Sequence, residues 1–248
     1  MDRIEEMRET AATFAALGWW FPANLTKGSL NRMARDLRSL PDSHRPQALA
    51  VALSGAYDAE HLASMLLNSY SSCPFIKDYT AEIGESFTAH FTGLHRAAIA
   101  TLLPVVEGVL RRLGGKHGVT VDGRLRQGLL EVIDGVIARE GDQKLGLGDE
   151  RLVMLGSFRD FVAQLYARTD QFQGHEHLNR HGILHALFAE KDYGTAFNFQ
   201  RLVSALDLLN FFIRIDLQVG YLLPPDLTPE AMSLATRWNR LVKFSWPL

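Results

Sequence analysis

The residues of this chain best equipped for chemistry stand together in Leu178-Asn179-Arg180-His181-Gly182-Ile183-Leu184-His185, with Asp192-Tyr193-Gly194-Thr195 a short distance on. An arginine offers a planar guanidinium that stays charged and matches phosphate oxygens, and a histidine changes protonation near neutrality. One Arg and two His lie beside Ile183 and Leu184, so cationic and proton-carrying groups are set at the edge of a core. Polar side chains are rarely placed there unless they are paired or used.

Spacing limits what these groups can do alone. His181 lies one turn before His185 and can share its helical face. Arg180 and His185 are about 140° apart around an ideal helix axis, so one helix does not focus both on a single phosphate. His177, His181 and His185 recur at four-residue intervals, as zinc ligands on a helix do. Against a metal, the His-Glu-x-x-His order is missing, Gly182 weakens the helix and Arg180 would repel a cation. Neither a metal nor a cofactor is expected.

The Arg-x-x-x-x-His spacing of Arg180 and His185, with polar His181 beside the arginine, resembles the signature of the HEPN superfamily, helical domains that include many metal-independent RNases. The wider wording is similar to an uncharacterised bacterial HEPN-like group. Its blocks are Ala100-Thr101-Leu102-Leu103-Pro104-Val105-Val106-Glu107-Gly108, then Asn179 to His185, then Tyr193-Gly194-Thr195. The resemblance covers roughly residues 75 to 220.

It implies an all-α, HEPN-like helical bundle and metal-independent RNA cleavage at a cleft shared by two chains. Arg180 would clamp the phosphate, His185 would act as general base or acid, and His181 would help. Glu107 would orient Arg180, because a carboxylate among Val105, Val106 and Val109 needs a cationic partner. Asn179 and Tyr193 would support the site by hydrogen bonds to backbone or base. The implied setting is a toxin or phage-defence effector, cytoplasmic and homodimeric, with RNA as substrate and an antitoxin or regulator as a possible partner. The competing expectation is a non-catalytic HEPN-like module that binds RNA or nucleotides, or dimerises, through the same residues. Leu187 stands where relatives paired with nucleotidyltransferases carry a Tyr, so that pairing is not expected.

Composition agrees with a folded chain without a global field. With 248 residues, 47% hydrophobic and 22% charged, the chain can bury a substantial core. A net charge of -2 leaves nucleic-acid binding to a local patch or a dimer groove. The one local basic cluster in sequence is Arg111, Arg112, Lys116 and Arg124, an RNA guide or an ordinary solvated helix end. The single cysteine, Cys73, excludes an internal disulfide and reads as a packed thiol. The first residues are charged and show no export signal, and the apolar run 202–223 is broken by Asp207, Arg214 and Asp216, which makes it a buried helix and argues against a membrane association. No nucleophile elbow, Cys-His pair, dinucleotide glycine motif or Cys-x-x-Cys is present.

The elements that must position the motif follow from periodicity and caps. An N-terminal helical subdomain, 1–73, carries helices over 2–17, from about Asn24 or Thr26 to Leu40, a helix or turn over 47–54, and a helix over 60–70 capped by Asp58. Trp19-Trp20-Phe21 reads as packing. Pro74 opens a HEPN-like bundle, 74–248. Its helices are expected over 75–94, 95–113 with a kink at Pro104, 125–139, 150–169, 196–221 behind Thr195, and 226–241. A strand and turn are considered at 119–123, a loop at 141–148, a helix stop at 222–225, and an aromatic clamp at Phe244 and Trp246. Asp207 is expected to be a hydrogen-bonded polar group facing other helices or a partner chain.

Overall fold

A computed structural model describes residues 3–121, 124–142, 148–174, 176–218 and 225–241. The protein is all-α, with no strand among the described residues. Helices α1 (Arg3–Ala15) and α2 (Lys27–Ser39) are joined through Gly18, whose φ of 68° turns the chain back so that Trp19 N bonds Phe14 O at 2.9 Å. Only glycine takes that left-handed conformation without strain. The turn delivers Trp19, Trp20 and Phe21 into the interior, all three buried. Thr26 caps α2 by accepting from Ser29 N at 3.2 Å.

Next come α3 (Arg45–Ser54) and α4 (Ala59–Ser64), the latter capped by Asp58, which accepts from His61 N at 2.8 Å. The α-helix expected to reach Tyr70 changes at Met65 into a π-helical turn, Met65–Ser69, followed by a 3-10 turn, Tyr70–Ser72. Side chains of the last long helix explain the change. Arg214 Nη2 donates to Ser69 O at 2.8 Å and Asn210 Nδ2 donates to Ser69 Oγ at 3.0 Å.

Helix α5 (Thr80–Phe91) starts later than expected, because Phe75 has a φ of 68° and Lys77–Tyr79 forms a 3-10 turn. Gly93, with φ 81°, closes the hairpin to α6 (His95–Lys116), which carries Pro104 on its exposed side. A second packed pair is α7 (Leu125–Asp142) and α8 (Gly148–Leu165). Three further helices carry and follow the motif: α9 (Arg180–Leu184), α10 (Glu190–Tyr193) and α11 (Ala196–Asp216). Helix α12 (Pro229–Leu241) ends the described chain. Residues 119–121 form no strand. Asp122 and Gly123, the core of the expected 141–148 loop, residues 222–224 of the helix stop, and Phe244 with Trp246 lie outside the described residues.

Helix α11 organises the packing, since 17 of its 21 residues are buried. A helix apolar all round must be surrounded, and α11 lies against both α6 and α3. Several of its polar residues bond internally. Asp207 accepts from Tyr70 Oη and, at 2.5 Å, from Asn24 Nδ2, and it faces His61 Nε2 at 3.2 Å. The N-terminal elements share one apolar core with the rest, from Met7 to Trp238, with α1 packed on α8 and α4 on α12. No helix among the described residues is long and apolar enough to cross a membrane.

Candidate active site

The motif sits on a helix of only five residues, α9, fastened at its start to the end of α8. Asn179 is fully buried and does the fastening. Its Oδ1 accepts from Gly182 N at 2.8 Å, capping α9, and its Nδ2 donates to Ala167 O at 2.8 Å beyond the end of α8. One side chain thereby satisfies backbone groups at two helix ends, which would otherwise be unpaired. Asn179 is a structural cap and does not offer its amide to a base. Gly182 is required by a close approach: a Cβ there would lie 2.2 Å from the Phe188 ring.

Arg180 turns inward and the two histidines turn outward, as their angular separation on a helix dictates. Arg180 Nε stands 3.3 Å from Glu107 Oε2 on α6, an ion-pair contact in which the N–H is not aligned for a hydrogen bond. The other oxygen of Glu107 accepts from Arg111 Nε at 3.0 Å. The carboxylate is therefore shared by two guanidinium groups. Tyr166, at the end of α8, is buried in the same neighbourhood with no hydrogen-bond partner for its hydroxyl among the described residues. Burial and the charge of Glu107 push its pKa well above the usual tyrosine value, against the opposing pull of Arg180 and Arg111.

His181 and His185 stack with ring centroids 5.8 Å apart and planes within 12°. His185 is the C-cap of α9 and is exposed, and His181 is half-buried. The His181 pKa is lowered, first by burial and then by the positive charge of Arg180 and the neighbouring His185. Exposed Leu184 and Leu187, at 39% and 62%, flank His185. His181 also borders a groove of about 730 Å³ between α7 and the end of α8.

The zinc-like spacing does not become a shared face. His177 precedes α9, has a φ of 54°, and packs against Phe188 at 4.9 Å between ring centroids. Among the described residues no group of three or more His, Cys, Asp or Glu could hold a metal ion. The basic cluster seen in sequence also disperses. Arg111 is spent on Glu107 and the Val121 carbonyl, and Arg112 lies over the Tyr79 ring and pairs with Asp78. Arg124 alone of the four lines the groove.

Tyr193 is buried, and its carbonyl accepts from Asn198 Nδ2 at 3.0 Å and Thr195 N at 2.8 Å. Asn198 and Arg201, which motif reading passed over, complete that frame. Asn198 Nδ2 also donates to Glu176 O at 2.9 Å, where Glu176 and His177 both take left-handed φ values of 49° and 54°. Non-glycine residues in that region cost free energy and persist only when their surroundings hold them. Arg201 donates to Asn198 Oδ1 at 2.7 Å and to Leu17 O at 3.0 Å. Burial lowers the Arg201 pKa to about 10, with Glu176 at 3.5 Å opposing. The signal that could have found them is their place: polar residues on a helix apolar all round are bonded or used.

A smaller cavity of about 260 Å³ lies behind the motif, between Trp19, Phe161, Phe172 and Arg201. Arg201 is 2% exposed and occupied by Asn198 and Leu17, so that cavity is a poor candidate for the chemistry. No family model, curated protein or solved structure matches the chain.

Proposed function

We propose that this protein is a HEPN-like, metal-independent endoribonuclease acting through Arg180, His181 and His185. The observation that carries the reading is the stacked pair of imidazoles at 5.8 Å, with His185 exposed, His181 lining a groove, and a guanidinium held by Glu107 beside them. Two imidazoles can supply the two proton transfers that RNA cleavage needs. A lowered pKa keeps His181 neutral near pH 7 and suits it to accept the 2′-hydroxyl proton. The 2′-oxygen then bonds to phosphorus as the bond to the 5′-oxygen breaks. Protonated His185 gives its proton to that leaving oxygen, and the products are a 2′,3′-cyclic phosphate and a 5′-hydroxyl. Arg180 supplies positive charge to the phosphate in the transition state.

Two chains meeting near His185 would bring a second set of these groups to the same strand. Exposed Leu184 and Leu187 support that homodimer, because apolar side chains beside a functional histidine favour a partner surface. RNA binding without cleavage is favoured by one observation, that Arg180 already has Glu107 as counter-ion. Incubating the protein with RNA in EDTA separates the two. Cleavage that disappears in His185→Ala is the expected result, and binding without cleavage by the wild type would replace this reading with the other.

A further inference from the structure

The groove bordered by His181 is lined by four arginines, Arg124, Arg126, Arg159 and Arg168. Their engagement differs. Arg159 is held by Asp134 through two bonds of 2.5 and 2.9 Å. Arg168 chelates Asp170 at 3.1 Å, but both side chains are well exposed, and such pairs are worth little and exchange readily. Arg126 uses Nε on the Ala163 carbonyl at 2.9 Å, a neutral acceptor that leaves its charge uncompensated. Arg124 has no carboxylate within ion-pair distance among the described residues. Between the arginines, Gln171 presents an amide, Gln127 donates its amide to Glu131 at 3.0 Å, Leu130 is half-buried, and the carboxylates Glu131 and Asp134 and the buried Tyr166 also line the groove.

We infer that this groove holds the backbone and unpaired bases of single-stranded RNA on one side of the scissile phosphate, with Arg124, Arg126 and Arg168 as its phosphate contacts. The inference rests on the RNA-cleaving reading above and names the surface that feeds that site. Phosphate recognition follows from guanidinium geometry, and Gln171 and the Gln127 carbonyl oxygen can bond base edges, which in a single strand are open. A duplex is recognised by shape across successive minor grooves. A recess of about 730 Å³ between two helices cannot offer that span. Because the whole chain carries a net charge of -2, attraction must come from this patch and fall steeply with salt. Tyr166, which lines the groove and feels the charges of Glu107 and Arg180, adds a buried hydroxyl without a partner among the described residues, and unsatisfied buried donors are uncommon away from sites that use them.

The test uses the full chain carrying His185→Ala, so that RNA is not consumed, and fluorescence anisotropy with a short labelled single strand and its duplex. Arg124→Ala, Arg126→Ala and Arg168→Ala are each expected to weaken single-strand binding roughly 3- to 10-fold and to reduce the salt slope by about 0.7. Arg32→Ala, on the exposed side of α2, should change neither. Thermal melts confirm that the variants, all at exposed positions, remain folded. Unchanged affinity and slope in the three groove variants, an equal loss in Arg32→Ala, or tighter binding of the duplex would overturn the inference. With His185 restored, an unchanged KM for RNA in the triple-arginine variant removes the groove and leaves the cleavage reading standing. A wild-type protein that neither binds nor cleaves RNA removes both.

Discussion

Replacing Asn198 with alanine tests whether the approach to the motif is held as described. The Asn198 side chain is fully buried and makes three bonds: to Glu176 O at 2.9 Å, to Tyr193 O at 3.0 Å, and from Arg201 Nη1 at 2.7 Å. Alanine leaves the Tyr193 carbonyl with Thr195 N, so that loss is small. The Glu176 carbonyl, on an exposed residue, loses the Asn198 amide but can turn to water, so that bond is worth about 0.5–1.5 kcal/mol. The charge-assisted bond to Arg201 adds about 1.5–3 kcal/mol, offset in part by the Glu176 carboxylate 3.5 Å from Arg201. A net loss of about 2 kcal/mol follows, or roughly 4–8 °C in Tm for a chain of this length. Asn198→Asp keeps the acceptor for Arg201 and removes the amide donor, so it isolates the clamp on Glu176. Urea unfolding gives the stability, and hydrogen exchange at the Gly182 amide reports whether α9 loosens. A loss under about 0.5 kcal/mol, or an Asn198→Asp protein as stable as wild type with its Gly182 amide still protected, would refute the reasoning.

Gly182→Ala places a methyl against the Phe188 ring and should cost about 1–3 kcal/mol, read by thermal melting, whereas the double change with Phe188→Ala should recover part of it. Glu107→Gln removes the charge that faces Arg180 and Arg111, so RNA turnover should fall roughly 10-fold or more while the fold persists, and an unchanged rate would remove Glu107 from the site. Two other histidines should pull stability in opposite directions with pH. Burial would lower the His61 pKa, but the hydrogen bond and charge of Asp207 outweigh it and raise it. Its stabilisation is therefore full below the unfolded pKa and is lost as pH rises through the folded value. Burial and His95 lower the His90 pKa to about 3, so His90 favours the fold above the unfolded value and costs up to about 1.4 kcal/mol per pH unit as pH falls below it. Urea titrations between pH 5 and 8.5, with His61→Gln and His90→Gln compared to wild type, should show difference slopes of opposite sign; a common sign would contradict the assignment.

Most helices were legible because their apolar stripes and caps are local signals. Thr26, Asp58 and Thr195 cap the helices their types announced, at α2, α4 and α11. The immediate succession of the expected helices over 75–94 and 95–113 likewise marked the α5–α6 hairpin. What escaped was set by distant partners. Arg214 and Asn210 reach Ser69 across 145 and 141 residues of sequence and accompany the π-turn after Met65, a change that no window of sequence carries. Within the site, Glu107 and Arg180 meet because one is a half-buried carboxylate among valines and the other the only guanidinium in the motif. Asn179 is expected to bond backbone or base, and its partners Gly182 N and Ala167 O are backbone, a choice left open in sequence because a cap and a ligand donor look alike until both helix ends are placed. Arg111 and Arg112 appeared as a basic cluster, but successive residues on α6 point to different neighbours and each finds its own acid. Tyr166 left no mark in the sequence, because its relevance comes from the packing of α8 against the Glu107 face.

The identity of the cut ends tests the central claim most directly. A labelled RNA strand incubated with the protein in EDTA should yield a 5′-hydroxyl and a 2′,3′-cyclic phosphate or its hydrolysis product. A single 2′-deoxy substitution should abolish cleavage at the bond that follows it, and His185→Ala should lose the activity altogether. Products bearing a 5′-phosphate, cleavage that survives in His185→Ala, or intact RNA after prolonged incubation would contradict an Arg180, His181 and His185 nuclease.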